Sequence, residues 1–442
     1  MTEQLTQPGM NEPVEPSGDR RGPSLARALR PFRHGDYRRL ALALAFSTFA
    51  SGVWVVALVW EVIRIGGGPG QLSFVSTAAA VGVLLPALLG GVVADRVPQK
   101  QILLCVATVE LGGMSLVATL SLLDVTEIWH LAAVSFVTGM GMAFYYPAYA
   151  AWLPALVDEQ DLQAVNGFEG MVRPALGQAV GPGVAGAVVG AVSAGAAVGV
   201  AAGASLAGLL ALAVVPLTAV RRDPDATPQD RGHPLSSALD DVREGFVYMV
   251  RTPWLLASLL FASLMILAMM GPFEVLIPFL IKDKLGGGPE DHAFVMAAFG
   301  VGGALGSLGM AAVRMPRRYL TVMMLMWGAG CLPLIVMGLA TEIWMLVVAG
   351  FVLGAMFSAP MVIWGTLLQR RVPPHMLGRV ASLDFFVSVS LMPVSMALAG
   401  PVSELIGVQA TFLIAGSAPV VFAVAAILWA RLPEDELAHP LE

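Results

Sequence analysis

Roughly twelve apolar runs, each long enough to cross a bilayer, follow one another from Leu40 to Arg431 and leave little choice of fold. A spanning helix needs about 20 mostly apolar residues. The runs fall at about 40–63, 71–94, 101–123, 128–156, 163–191 and 194–220, then at about 253–281, 291–313, 319–340, 342–369, 379–404 and 407–431. Only 13% of the 442 residues are charged and 57% are hydrophobic, whereas a soluble domain carries about 25% charged residues. The expectation is an all-α membrane protein.

Several function classes drop out. The net charge of -6 gives no basic footprint for nucleic acid. Cys105 and Cys331 both lie inside apolar runs, so neither a disulfide framework nor a metal site is expected. No Gly-rich loop ending in Lys-Ser/Thr offers a nucleotide site, and no nucleophile elbow or paired catalytic carboxylates point to an enzyme. No cofactor is expected. No cleavable signal is expected either, because the first apolar run begins only near Leu40 and is full length.

Charge sets orientation. If both termini are cytoplasmic, every Lys and Arg except Arg64, Lys282 and Lys284 falls in a tail, an inner loop or the inner end of a span. The halves also repeat. Gly66-Gly-Gly-Pro69 after the first span recurs as Gly286-Gly-Gly-Pro289 after the seventh, and Gly82 and Gly302 keep the same spacing. Pro147 and Pro360, each followed by a Trp (Trp152 and Trp364), suggest a match between the fourth and tenth spans. The expected organisation is a disordered N-terminal tail (1–33), a six-helix half (34–220), a polar cytoplasmic linker (221–252), a second six-helix half (253–431) and a short cytoplasmic tail (432–442).

The loop between the second and third spans reads Gly91-Val-Val-Ala-Asp95-Arg96-Val-Pro-Gln-Lys100. This Gly-x-x-x-Asp-Arg-x-x-x-Lys pattern resembles the signature loop of the major facilitator superfamily, whose paired six-helix repeats fit the organisation above. The entry to the first span, Phe32-Arg33-His34-Gly35-Asp36-Tyr37-Arg38-Arg39-Leu40, is similar to that of the macrolide-efflux and enterobactin-exporter-like branch. Gly177-x-x-x-Gly181-Pro182-x-x-x-Gly186 in the fifth span resembles the antiporter motif that accompanies export in the family. It departs from that motif in its upstream glycine and closing Gly-Gly pair. The fourth span lacks the mid-helix Arg of many proton-linked exporters, and Arg314-Met-Pro-Arg317-Arg318 keeps the charge of the signature loop without its Asp.

The resemblance implies a secondary exporter of small amphipathic molecules (drug, antibiotic or siderophore) in a bacterial inner membrane, driven by proton antiport and working as a monomer among lipids. An importer or lipid flippase on the same fold, or a non-transporting receptor, are the alternatives. It also implies that Gly91, Asp95, Arg96 and Lys100 form a conformational latch, with Asp95 capping the start of the eleventh span. Plain topology charges are the other account of this loop.

Among buried acids, Glu110 sits about 13–14 Å into the third span and is a candidate proton carrier, or an acid that hydrogen-bonds a neighbour and never titrates. Glu274, beside Gly271-Pro272 in a span predicted to kink, and Asp384 are further candidates; Asp384 has Arg370, Arg371 and Arg379 as expected partners. Glu169 and Arg173 share one helix face, as a fixed or a switching ion pair. Glu61 is read as an interfacial charge near Arg64 or as a gate residue. Tyr145, Tyr146, Tyr149 and Trp54 are candidate cavity residues, although aromatic side chains are ordinary membrane filler.

Overall fold

The computed structural model describes residues 30–440, apart from 88–92, 94–96, 154–155, 158–160, 162–164, 166–167, 171, 217–233 and 314. The described chain is helical throughout, with no strand. The first half contains α1 (Gly35–Arg64), α2 (Pro69–Leu84), α3 (Gln99–Leu122) and α4 (Ile128–Trp152). A wide π-helical stretch, Arg173–Val180, then leads into α5 (Gly181–Ala191) and α6 (Ala194–Ala213). The second half contains α8 (Pro253–Gly271), α9 (Pro289–Ala312), the consecutive pair α10 (Tyr319–Gly330) and α11 (Pro333–Leu339), and α12 (Ile343–Arg371). The pair α13 (Pro374–Ser390) and α14 (Met392–Ile406) precedes α15 (Val408–Trp429). Among the described residues, ten units are long and apolar enough to cross a membrane. The second and fifth expected spans are not among the ten, and part of each lies outside the described residues.

Two helices were not expected. The linker holds α7 (Pro234–Arg251), an amphipathic helix that packs on α13. Its apolar positions are periodic but too few to register as a span. The short C-terminal tail holds α16 (Leu432–Ala438), which packs on α10 and α15.

Proline explains where spans break. It removes one backbone donor and clashes with the carbonyl four residues back, so the ladder widens or stops. Pro174 opens the π stretch of the fifth span, and Pro333 and Pro393 follow the breaks in the ninth and eleventh. After α8 the seventh span continues through two π stretches, Pro272–Leu276 and Leu280–Lys284. The kink expected at Gly271-Pro272 is therefore a local change of winding.

The repeat is visible in the packing. A side chain on Gly82 of α2 would strike the Phe136 carbonyl of α4, and one on Gly302 of α9 would strike the Phe351 carbonyl of α12. In reverse, Gly139 lies against the Ala79 carbonyl and Gly354 against that of Phe299. Such close crossings between small residues are how membrane helices gain van der Waals contact. Gly66 (φ 80°) and Gly286 (φ 66°) both take the left-handed conformation at equivalent turns. These contacts set the register at 220 residues for α2 and α9, and at 215 for α4 and α12. Trp364 is thereby matched with Tyr149, three residues before the Trp152 suggested by sequence. The Pro-Trp spacing differs between the halves, so aligning Trp with Trp misplaces the register by nearly a turn.

The halves meet away from the face that carries the chain termini. Gly400 of α14 lies against Gly70 of α2, and its N–H donates to Ser73 Oγ at 2.8 Å. Gly186 of α5 lies against Pro289 and Ala293 of α9. A small apolar cluster around Tyr37, Leu103 and Trp152 fills the terminal end of the first half, and a larger one fills the rest.

Candidate functional site

The first half encloses a cavity near its terminal face, between α1, α3, α4 and α6. Ser47, Ala107, Glu110, Tyr145 and Ser205 are among the residues lining it. Its volume is about 20 Å³, room for roughly one water molecule. Glu110 lies about 16 Å along α3 and is only 8% exposed. Among the described residues it makes no hydrogen bond or ion pair.

Beside this cavity the structure assembles residues that the sequence presented separately. Tyr145 and Tyr149 stack at 5.8 Å. Tyr149 Oη donates to Glu169 Oε1, and Arg173 lies 3.5 Å from the other oxygen of the same carboxylate. The Arg173 guanidinium also sits over the Tyr146 and Tyr149 rings, at 5.1 and 5.4 Å from their centroids. Trp54 is not part of this group. It lies about 28 Å along α1, 9% exposed in the larger apolar cluster.

Asp384 occupies a niche in the second half. Trp364 Nε1 donates to its Oδ2 at 2.9 Å, and Ser388 Oγ donates to its Oδ1 at 3.3 Å. Trp364 packs edge-on against Trp254 at 6.3 Å. Arg371, expected as a partner of Asp384, instead pairs with Asp435 and covers Trp254 at 4.7 Å. The reason is α16, a helix that apolar length does not announce. Its Glu436, 0% exposed, accepts from the N–H groups of Leu320 and Thr321 at 2.9 and 3.1 Å, and from Thr321 Oγ1 at 2.8 Å. These are open donors at the start of α10, where a carboxylate is favoured. The acidic run Glu434-Asp435-Glu436 after Arg431-Leu432-Pro433 was the sequence signal for this lock.

The other candidates lie apart. Gly177 and Gly181 pack on Gly52 and Thr48 of α1, Pro182 opens α5, and Gly186 faces α9 across the halves. The antiporter-like motif is thus a two-sided packing seam. Glu274 is half-buried on a π stretch and, among the described residues, makes no hydrogen bond or ion pair. Glu61, 0% exposed, is held by two bonds from Arg64, at 2.8 and 2.9 Å, and Arg64 also reaches Asp124. Gly91, Asp95 and Arg96 lie outside the described residues. Lys100 is buried, with Nζ donating to the carbonyls of Ala213 and Val215 at the end of α6, a favourable place for a cation.

Residues 26–440 match the family model described as transmembrane secretion effector. The multidrug efflux pump Tap of Mycolicibacterium fortuitum is 26% identical over 418 residues, which cover 92% of this chain and 98% of that protein. Macrolide efflux protein A of Streptococcus pyogenes is 23% identical over 387 residues, covering 86% and 92%. The crystal structure of the nucleoside transporter NupG superposes with a TM-score of 0.70 at 14% identity, over 88% of this chain and 98% of that one. At that identity the likeness is one of fold.

Proposed function

We infer that this chain, which belongs to the transmembrane secretion effector family of major facilitator transporters, exports small amphipathic molecules by alternating access. It is a membrane transporter and not an enzyme. The observation that carries export is its similarity, across nearly the whole chain, to relatives named as multidrug and macrolide efflux proteins. Substrates of that kind, antibiotics or comparable amphiphiles, are the class proposed; a siderophore is a further member of it.

The setting is a bacterial inner membrane with both termini cytoplasmic, a reading supported by the placement of Lys and Arg. On that orientation the seam at Gly70–Gly400 and Gly186–Ala293 closes the outer face, and substrate loads from the cytoplasm. Proton antiport supplies the energy, with Glu110, Glu274 and Asp384 as candidate carriers. Glu110 is supported by its cavity, which brings one water's room to a carboxylate that no described side chain compensates. Gly91, Asp95, Arg96 and Lys100 are proposed as the latch between states, with Lys100 fixing the end of α6.

Proteoliposomes with an imposed pH gradient test this, using a panel that includes a macrolide and the cationic dye ethidium. Gradient-dependent movement of at least one compound is expected, and none across the panel overturns the reading. Glu110→Gln should lose net export yet keep substrate binding; unchanged pH-driven transport removes Glu110 from the mechanism. Asp95→Ala should slow switching between states more than it weakens binding.

A further inference from the structure

The register of the repeat matches more than backbone. At 215 residues, Tyr149 corresponds to Trp364, Glu169 to Asp384 and Arg173 to Ser388. Each half therefore builds the same niche. An aromatic donor on the fourth helix of the half reaches a carboxylate 20 residues later, on the fifth. A second donor sits one turn beyond that carboxylate, at i+4. Past the niche the spacing changes by one. Gly186 corresponds to Gly400, since Gly186 abuts Glu290 as Gly400 abuts Gly70. The π stretch Arg173–Val180 absorbs the extra residue.

The two niches differ in one respect. In the first the i+4 donor is a guanidinium, so the carboxylate is neutralised in place. In the second it is a hydroxyl, so both donors to Asp384 are neutral. Among the described residues, the helices packed against α13 do not supply the missing charge at that depth. α8 and α2 carry no ionisable residue. α12 carries only Arg370 and Arg371, six and seven residues beyond Trp364 and so about 9 Å nearer the terminal face. Arg371 is engaged with Asp435. Of its described side chains, α7 brings Arg243, Glu244, Tyr248 and Arg251, and Arg251 lies two residues before the start of α8 at that same face. On α13 itself Arg379 is five residues before Asp384, about 7.5 Å nearer the terminal face.

We propose that Asp384 is a proton-exchange site of this transporter, positioned by Trp364 and Ser388, while its structural equivalent Glu169 is excluded from exchange by Arg173. The proposal rests on the antiport reading above and selects between two carboxylates that share one geometry. A carboxylate within a span with only neutral donors is costly as an anion. Taking a proton from water onto one oxygen removes that cost, and release to water on the other side restores the anion. Glu169 lacks that incentive, because protonation would strand the Arg173 cation.

The test needs no substrate. Infrared difference spectra of the full-length protein in lipid vesicles, recorded as pH is lowered, read carboxyl C=O bands directly. Wild type should show a band that is absent from Asp384→Asn and unchanged in Glu169→Gln. Ser388→Ala should keep the band with a shifted frequency, as expected of a positioning hydrogen bond. Arg173→Ser should gain one band, and adding Glu169→Gln should remove it. Ser388→Arg, which copies the first niche into the second, should lose the wild-type band. The two isosteric amide variants decide the matter if a charge swap fails to fold. A full set of bands in Asp384→Asn, or the loss of one in Glu169→Gln, overturns the proposal. Absence of gradient-driven transport by wild type overturns the antiport reading instead and leaves the infrared result standing.

Discussion

The two halves share a backbone register and differ in where they put charge. The first half neutralises most of the charges inside its spans, Glu110 excepted. Glu61 is held by Arg64, Glu169 by Arg173, and Lys100 by the last carbonyls of α6. The second half keeps its strong charge pairs at the terminal face, where Arg371 meets Asp435 and Glu436 caps α10. Within its described membrane part, Asp384 has neutral donors. The repeat fixes which helices cross and where glycine must sit. It leaves side-chain chemistry free, because a niche of one geometry accepts either Arg or Ser at its i+4 position.

The sharpest way to break this contrast is to remove Arg64. Glu61 is fully buried, and an unpaired carboxylate there should cost about 3–5 kcal/mol, read as a fall in the apparent Tm in detergent. Adding Glu61→Gln should recover much of the loss. Arg371→Ala should cost less, since Asp435 remains partly exposed and can turn to water. Equal losses at the two sites would show that the halves do not differ in how charge is stabilised.

Next comes the cap on α10. Glu436→Ala removes a charged acceptor shared by three donors, and about 2–3 kcal/mol should be lost from the second half. A variant as stable as wild type would make α16 a passive tail.

The shared register predicts equivalence. Gly82→Leu and Gly302→Leu each force a side chain into a facing carbonyl, and each should lower stability by about 1–3 kcal/mol. A large effect at one and none at the other would break the repeat at its best-defined contact.

The smallest effects separate the niches. Tyr149→Phe removes a hydrogen bond to a carboxylate that Arg173 keeps charged, worth about 2 kcal/mol. Trp364→Phe removes one to a carboxylate that takes a proton under the proposal above, worth about 1 kcal/mol in the protonated state. Measuring both at low and at neutral pH should show the Trp364 effect growing with pH and the Tyr149 effect constant.

Much of the architecture was legible because membrane burial is a one-dimensional signal. Apolar run lengths mark the spans, and the Gly-Gly-Gly-Pro pair marks the repeat through two glycines that both adopt positive φ. Two helices escaped. In α7 the apolar residues are periodic but sparse, and α16 is seven residues long and rich in acid. The matching of Trp364 with Trp152 failed for a related reason. Residue type is a weaker guide to register than the glycines at which two backbones touch.

Composition by itself determined that this chain is helical and spans a membrane, because no other structure satisfies backbone polar groups along runs of that length. The sequence also named each acid as costly, one by one. Which acids are neutralised was decided only by tertiary structure. The partners of Asp384 stand 20 residues before it on a neighbouring helix and one turn after it on its own, while Arg371 was drawn away by a carboxylate 64 residues downstream. Charge compensation acts over a few ångströms, and only the folded chain determines which groups lie within that reach.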